Sequence, residues 1–141
     1  AYCGIGTITL ALSRHAKQVY GIEIVEDAVR NAERNAEINQ VDNVEFFTGA
    51  SEKILPQWAE EGHRVDVLVV DPPRKGLDQD FIDASLVMAP ERIVYVSCNP
   101  ATLARDIKYY TENGYRAVKV QPVDMFPQTL HIETVTLLVK E

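Results

Sequence analysis

The two cysteines of this chain, Cys3 and Cys98, stand in different surroundings. Cys98 lies in Ser97-Cys98-Asn99-Pro100, after a β-rich run and beside a helix opening near Ala101. A helix N-terminus and a nearby cation lower a thiol's pKa, and the thiolate is the nucleophile. The alternative fate of such a residue is a small buried hydrophobe. Cys3 suits that second fate better, because it sits inside a glycine turn where small size suffices. Glu133 is the other reactive candidate. It opens an otherwise apolar final strand, Ile132 to Val139, where a carboxylate is unfavourable unless paired or functional. His131 carries no decisive signal and reads as structural or positioning.

A second group of residues points to a nucleoside ligand. Tyr2-Cys3-Gly4-Ile5-Gly6-Thr7 leads straight into a helix, and its two glycines let backbone approach a ligand closely. The dinucleotide fingerprint is not met, since position 9 is Thr, which counts against NAD. Glu23 ends the next strand, about 20 residues after the glycines, where an acid can accept hydrogen bonds from ribose hydroxyls. Asp71-Pro72-Pro73-Arg74-Lys75-Gly76 follows the apolar run Val65–Val70. Ligands of open α/β sheets bind outside the carboxyl ends of strands, so Asp71 falls at the site edge, on a loop stiffened by two prolines.

Positioning these residues takes an alternation of short β-rich and longer amphipathic segments, the pattern of an α/β domain with a mostly parallel sheet. Helices are expected at Thr7–His15, Glu26–Asn39, Asp80–Met88 and Ala101–Glu112, the last stopped by Asn113-Gly114. A short helix opens at Ser51, with Pro56 ending or bending it. Strands are expected at Gln18–Glu23, Val44–Thr48, Val65–Val70 and Arg92–Val96; the third reads as a central strand buried on both faces. Tyr115–Pro122 and Ile132–Val139 are β-branched and able to pair antiparallel. A glycine turn of this kind normally follows a strand, and here the turn begins at residue 1. The expectation is one domain over residues 1–141, cut at its N-terminus with the first strand missing.

Bulk properties narrow the function. A length of 141 residues suits one domain, and 46% hydrophobic with 25% charged residues is ordinary for a globular chain. No apolar run could span a bilayer, two cysteines make no disulfide framework, and no Cys/His cluster has zinc spacing. A reducing cytoplasm is the expected location, with no membrane partner and no metal. The net charge of −7 argues against broad nucleic-acid binding by this chain alone. Positive charge is local, at Arg74-Lys75 and at Arg105 and Lys108 one helical turn apart.

Taken together, Tyr-Cys-Gly-x-Gly-Thr, Asp-Pro-Pro-Arg-Lys-Gly, Ser-Cys-Asn-Pro and Phe-Pro-x-Thr-x-His-x-Glu resemble the RNA uracil-5-methyltransferase family across essentially the whole chain. The first motif is shared with many methyltransferases; the other three, in this order, are specific. The resemblance implies a Rossmann-like, S-adenosylmethionine-dependent methyltransferase fold with an antiparallel strand near the C-terminus. It implies Cys98 as nucleophile and Glu133 as base. Adenosylmethionine contacts fall on Tyr2, Glu23 and Asp71, with the turn Gly4, Gly6, Thr7 around the methionine part. Asp71 also approaches the target base and Arg74 supports RNA binding. The implied substrate is a uridine in RNA, ribosomal RNA ahead of tRNA, taken out of its stack to be reached. Family members carry upstream domains that supply much of the RNA grip, and those are not in this sequence.

Two rival readings make different demands. An amino-group methyltransferase also uses Asp-Pro-Pro loops but needs neither Cys98 nor Glu133. A catalytically silent RNA- or adenosine-binding module would bind ligand without methyl transfer.

Overall fold

The computed structural model describes residues 1–141. Their contacts group into two compact units, residues 1–54 and 55–141, taken in turn.

The first unit holds helix α1 (Thr7–Ser13), strand β1 (Val19–Glu23), helix α2 (Glu26–Ile38), strand β2 (Val44–Thr48) and the start of α3 (Ser51–Glu60). β1 and β2 pair in parallel, Val19 with Val44 through Glu23 with Thr48. Val29, Ala32 and Ala36 of α2 are buried; their spacing of three and four draws one apolar stripe along the helix. α1 stops at Ser13, two residues short of the expected end, and Asn43 donates to the carbonyls of Ser13 and Ala16 at 2.9 Å each. These bonds satisfy carbonyls that a helix end leaves open.

Of the two outcomes expected at Pro56, an ended helix is not what α3 shows. Pro56 lies inside it and the helix continues to Glu60. One proline removes one N–H, and the later turns keep their own bonds, among them Glu61 N–H to the Gln57 carbonyl at 2.9 Å.

The second unit holds β3 (Val67–Val70), α4 (Gln79–Met88), β4 (Arg92–Ser97), α5 (Pro100–Glu112), β5 (Tyr115–Val123) and β6 (Glu133–Lys140). The sheet order is β3-β4-β6-β5. β3 and β4 are parallel, and β6 runs antiparallel to both β4 and β5, with a bulge in β5 between Ala117 and Lys119. The mostly parallel pattern with one reversed strand near the C-terminus therefore holds. β3 is a correction: it starts at Val67, has one ladder neighbour in its sheet, and alternates rather than being buried on both faces, with Val67 exposed. The core gathers Leu68, Val70, Ile93, Tyr95 and Leu138 from the strands with Phe81, Met88, Leu103 and Tyr110 from the helices.

Candidate active site

The decisive geometry is the insertion of β6 between β4 and β5. The last ladder pair of β4 and β6 is Ser97 with Thr134. Cys98 is the residue directly after β4 and Glu133 is the first of β6, so both stand one residue beyond that pair, at the same end of the ladder. Both residues are half-buried.

Asp71 follows β3 at the same carboxyl end. Partial burial, and then the Glu133 carboxylate, raise its carboxyl above the usual Asp range. Arg74 sits next in the loop, its guanidinium 3.0 Å from His131 Nδ1. With the guanidinium as donor, Nδ1 is the acceptor. His131, read from the sequence as structural or positioning, has Arg74 as its partner.

α5 grips this loop. The Arg74 carbonyl accepts from Asn99 Nδ2 at 2.9 Å and from Thr102 Oγ1 at 3.2 Å. Arg105 donates to the carbonyls of Lys75 and Leu77. Asp106 is buried and accepts from Leu77 N–H at 2.9 Å, Tyr95 O–H at 2.7 Å and Arg105. Burial, and then the bond to Asp106, push the Tyr95 phenol well up. Gly76, at φ +78°, presses on this hub, and a Cβ there would lie 2.6 Å from Asp106 Oδ2. The positive charge noted around residues 74–75 and 105–108 is accordingly engaged: Lys75 pairs with Asp78, Arg105 with Asp106 and Lys108 with Glu112.

In the first unit, Glu23 and the glycine turn are joined. Glu23 Oε2 accepts from Gly4 N–H at 2.9 Å and Oε1 from Val25 N–H at 3.0 Å. Cys3 N–H bonds the Ile22 carbonyl at 3.0 Å, and Asn35 Nδ2 bonds the Ile5 carbonyl at 3.0 Å. Tyr2 takes φ +61° and Gly4 φ +53°. The two turn glycines differ in kind. A Cβ on Gly4 would meet nothing within 4 Å, so that backbone faces open space. Gly6, which caps α1 ahead of Thr7, is enclosed, with Ala32 and Phe46 at 3.1 Å from such a Cβ. The Cys3 sulfur would lie 3.0 Å from a Cβ on Gly21, and burial raises its thiol pKa, in keeping with a structural role.

A family model described as tRNA (Uracil-5-)-methyltransferase matches residues 1–141, the whole chain. The chain belongs to this family. An uncharacterized RNA methyltransferase of Enterococcus faecalis is 61% identical over 140 residues, 99% of this chain and 31% of the relative. One of Listeria innocua is 59% identical over 138 residues, 98% of this chain and 30% of the relative. The chain therefore spans about a third of the length of such relatives. Among solved structures, the Pyrococcus abyssi tRNA (uracil-54, C5)-methyltransferase in complex with S-adenosyl-L-homocysteine superposes with a TM-score of 0.83. It is 38% identical, over 98% of this chain and 33% of that one. An rRNA methylase from Streptococcus thermophilus, 14% identical at a TM-score of 0.76, shares the fold. The Rossmann-like methyltransferase fold expected from the motifs is thereby established.

For this uracil-5-methyltransferase family chain, the structure brings Cys98, Glu133, Asp71 and Arg74 to one end of one sheet. It joins Gly4 and Glu23 in the first unit. Asn99, Thr102, Arg105 and Asp106 were missed by sequence reasoning. Asp106 had a signal: a carboxylate in the helical stripe Leu103, Asp106, Tyr110, where an apolar residue belongs.

The raised Asp71 carboxyl sets a pH dependence. The folded chain holds this proton more tightly than the unfolded chain does. Stability therefore falls as pH rises from about 3.9, the ordinary Asp value, through the higher folded value. Asp71→Asn removes that loss. Its thermal midpoint, relative to the unaltered protein, is expected to be higher at pH 7 than at pH 4. Equal differences at both pH values would contradict the assignment.

Proposed function

We infer that the complete protein transfers a methyl group from S-adenosylmethionine to C5 of a uridine in RNA, through a covalent bond between Cys98 and C6 of the base. The observation that supports this reading is the β4–β6 pairing, which brings Cys98 and Glu133 to one end of the ladder, beside the loop after β3 that bears Asp71 and Arg74. An amino-group methyltransferase has no use for that pair, and neither has a binding module without chemistry.

C5 of uracil is a poor nucleophile. Addition of the Cys98 thiolate at C6 moves electron density onto C5 and the O4 enolate. S-adenosylmethionine, when bound, supplies an electrophilic methyl group on a sulfonium. Once C5 carries the methyl group, Glu133 takes the C5 proton, the C6–S bond breaks, and the thiolate of Cys98 is restored. Arg74, held against His131, is the residue we assign to contact the RNA.

The first unit fits the adenosine part. The Gly4 backbone is bare on its open side, and exposed Ile24 and Val25 beside Glu23 offer an apolar surface to a purine. Each Glu23 oxygen accepts one backbone N–H, which leaves acceptor capacity for ribose hydroxyls. Tyr2, Gly6 and Thr7 complete the turn assigned to the methionine part. We take the two units as parts of one catalytic domain. Glu23→Ala in the complete protein is expected to weaken S-adenosylmethionine binding about tenfold or more, from loss of a charge-assisted bond of roughly 1.5–3 kcal/mol. Unchanged affinity by calorimetry would overturn the assignment.

Ribosomal RNA in the cytoplasm is the substrate we propose first, gripped largely by parts of the protein outside this chain. The family description and the Pyrococcus abyssi enzyme favour a second reading, tRNA. Mapping 5-methyluridine in RNA from a strain lacking the gene tests both. Loss of one methylated position from 23S ribosomal RNA supports the first and loss from tRNA the second. No loss from any RNA overturns the function.

A further inference from the structure

Asn99 follows the nucleophile directly, and its side-chain amide is used at both ends. Oδ1 accepts from Ala101 N–H at 3.1 Å and caps α5, whose first residue is Pro100. Nδ2 reaches across to the Arg74 carbonyl at 2.9 Å. One side chain therefore ties the turn carrying Cys98 to the loop carrying Asp71 and Arg74. Its own backbone is pinned as well: Ser97 Oγ accepts from Asn99 N–H and donates to the Asn99 carbonyl, both at 3.0 Å. Beyond the tie, the loop is held at Leu77 by buried Asp106 and at Gly76 by the absence of space for a Cβ.

We propose that Asn99 is a positioning residue, a latch that holds the Asp71–Arg74 loop in register with the Cys98 sulfur. The inference rests on the methyltransferase reading above for its kinetic consequence, though not for its structural one. Only a residue that caps and donates at once fills this place. Ser and Asp cap a helix about as well as Asn does. Neither replaces the donor: a Ser hydroxyl is too short to span to Arg74, and an Asp carboxylate faces the Arg74 carbonyl with a second acceptor. Asn99→Ser is neutral and leaves the charge beside Cys98 unchanged, whereas Asn99→Asp does not. The pair of variants separates loss of the latch from a change of local charge.

The test uses the complete protein with its RNA and, in parallel, hydrogen exchange without RNA. Both variants are expected to keep the thermal midpoint of the parent, because the cap persists. Exchange of the Gly76 and Leu77 amides should speed about fivefold, as for loss of one ordinary hydrogen bond, while the Leu103 amide at the start of α5 stays protected. In the kinetic arm kcat should fall about a hundredfold in both variants, with KM for RNA little changed, because misplacement by about 1 Å is enough for such a loss. Thr102→Val, which removes a hydroxyl shared between the Arg74 and Asn99 carbonyls at 3.2 Å each, should give a smaller fall of the same kind. Unchanged loop exchange in Asn99→Ser overturns the latch. So does a kcat loss confined to Asn99→Asp, which marks a charge effect, or a loss that tracks a lowered thermal midpoint. Should the parent itself transfer no methyl group, the function falls, and the exchange arm alone decides the latch.

Discussion

Cys98→Ala in the complete protein is expected to abolish methyl transfer, with a loss of about 10⁴-fold or more, the scale seen when a nucleophile is removed. The reason is electronic: without a sulfur at C6, C5 of uracil stays unreactive toward any methyl donor. RNA carrying 5-fluorouridine sharpens the result. Fluorine at C5 does not leave as a proton, so elimination stalls after methyl transfer and the protein stays bonded to the RNA. A denaturing gel should show a shifted band with the parent and none with Cys98→Ala. Cys3→Ala is the internal control. Its sulfur lies against Gly21 inside the glycine turn, and it should still form the band. A parent that binds the fluorinated RNA without any shifted band rules out the covalent mechanism.

Glu133→Gln is expected to lower turnover by about 10²–10⁴-fold and to trap the adduct even on ordinary uridine. Gln keeps the shape and the ladder position opposite Val123 of β5 but takes no proton. Addition and methyl transfer then proceed and elimination waits. The same substitution has a second readout. The Glu133 carboxylate helps to raise the Asp71 carboxyl, so its removal should lower the Asp71 titration toward the ordinary Asp range. NMR of the Asp71 carboxyl carbon measures this. Free release of methylated RNA by Glu133→Gln would assign the base elsewhere. An unmoved Asp71 titration would separate the two carboxylates.

Local chemistry explains which parts were legible in the sequence. α5 ends where Asn113-Gly114 requires it, with Gly114 at φ +87°, because a left-handed residue stops a helix whatever surrounds it. β2 spans Val44–Thr48 as its apolar and β-branched residues suggest. The Asp-Pro-Pro loop and the Cys98 turn both follow strands, as their apolar runs imply. β3 was misjudged, since an apolar run reports affinity for a sheet and not the number of neighbours it will have. Pro56 does not end α3, because a proline's local penalty is fixed, whereas the packing that outweighs it is not local: Leu55, its neighbour, is buried.

Local sequence chemistry was enough to single out the candidate reactive groups and the ends of the elements that carry them. Cys98 had to stand at the carboxyl end of one strand and Glu133 at the start of another, because turn chemistry and β-propensity act over a few residues. That these ends meet is a product of strand pairing in the folded chain. Pairing of β5 with β6 was visible in their composition, but the entry of β6 between β4 and β5 was not. Direction is what matters. A strand's start meets a neighbour's end only when the two run antiparallel, and hydrogen-bond partners across a sheet are chosen by long-range burial that no short window of sequence records. The buried carboxylate of Asp106 belongs to the same class. Its place in an apolar stripe was readable, but its three donors come from a loop, a strand and the adjoining Arg105, and only folding assembles them.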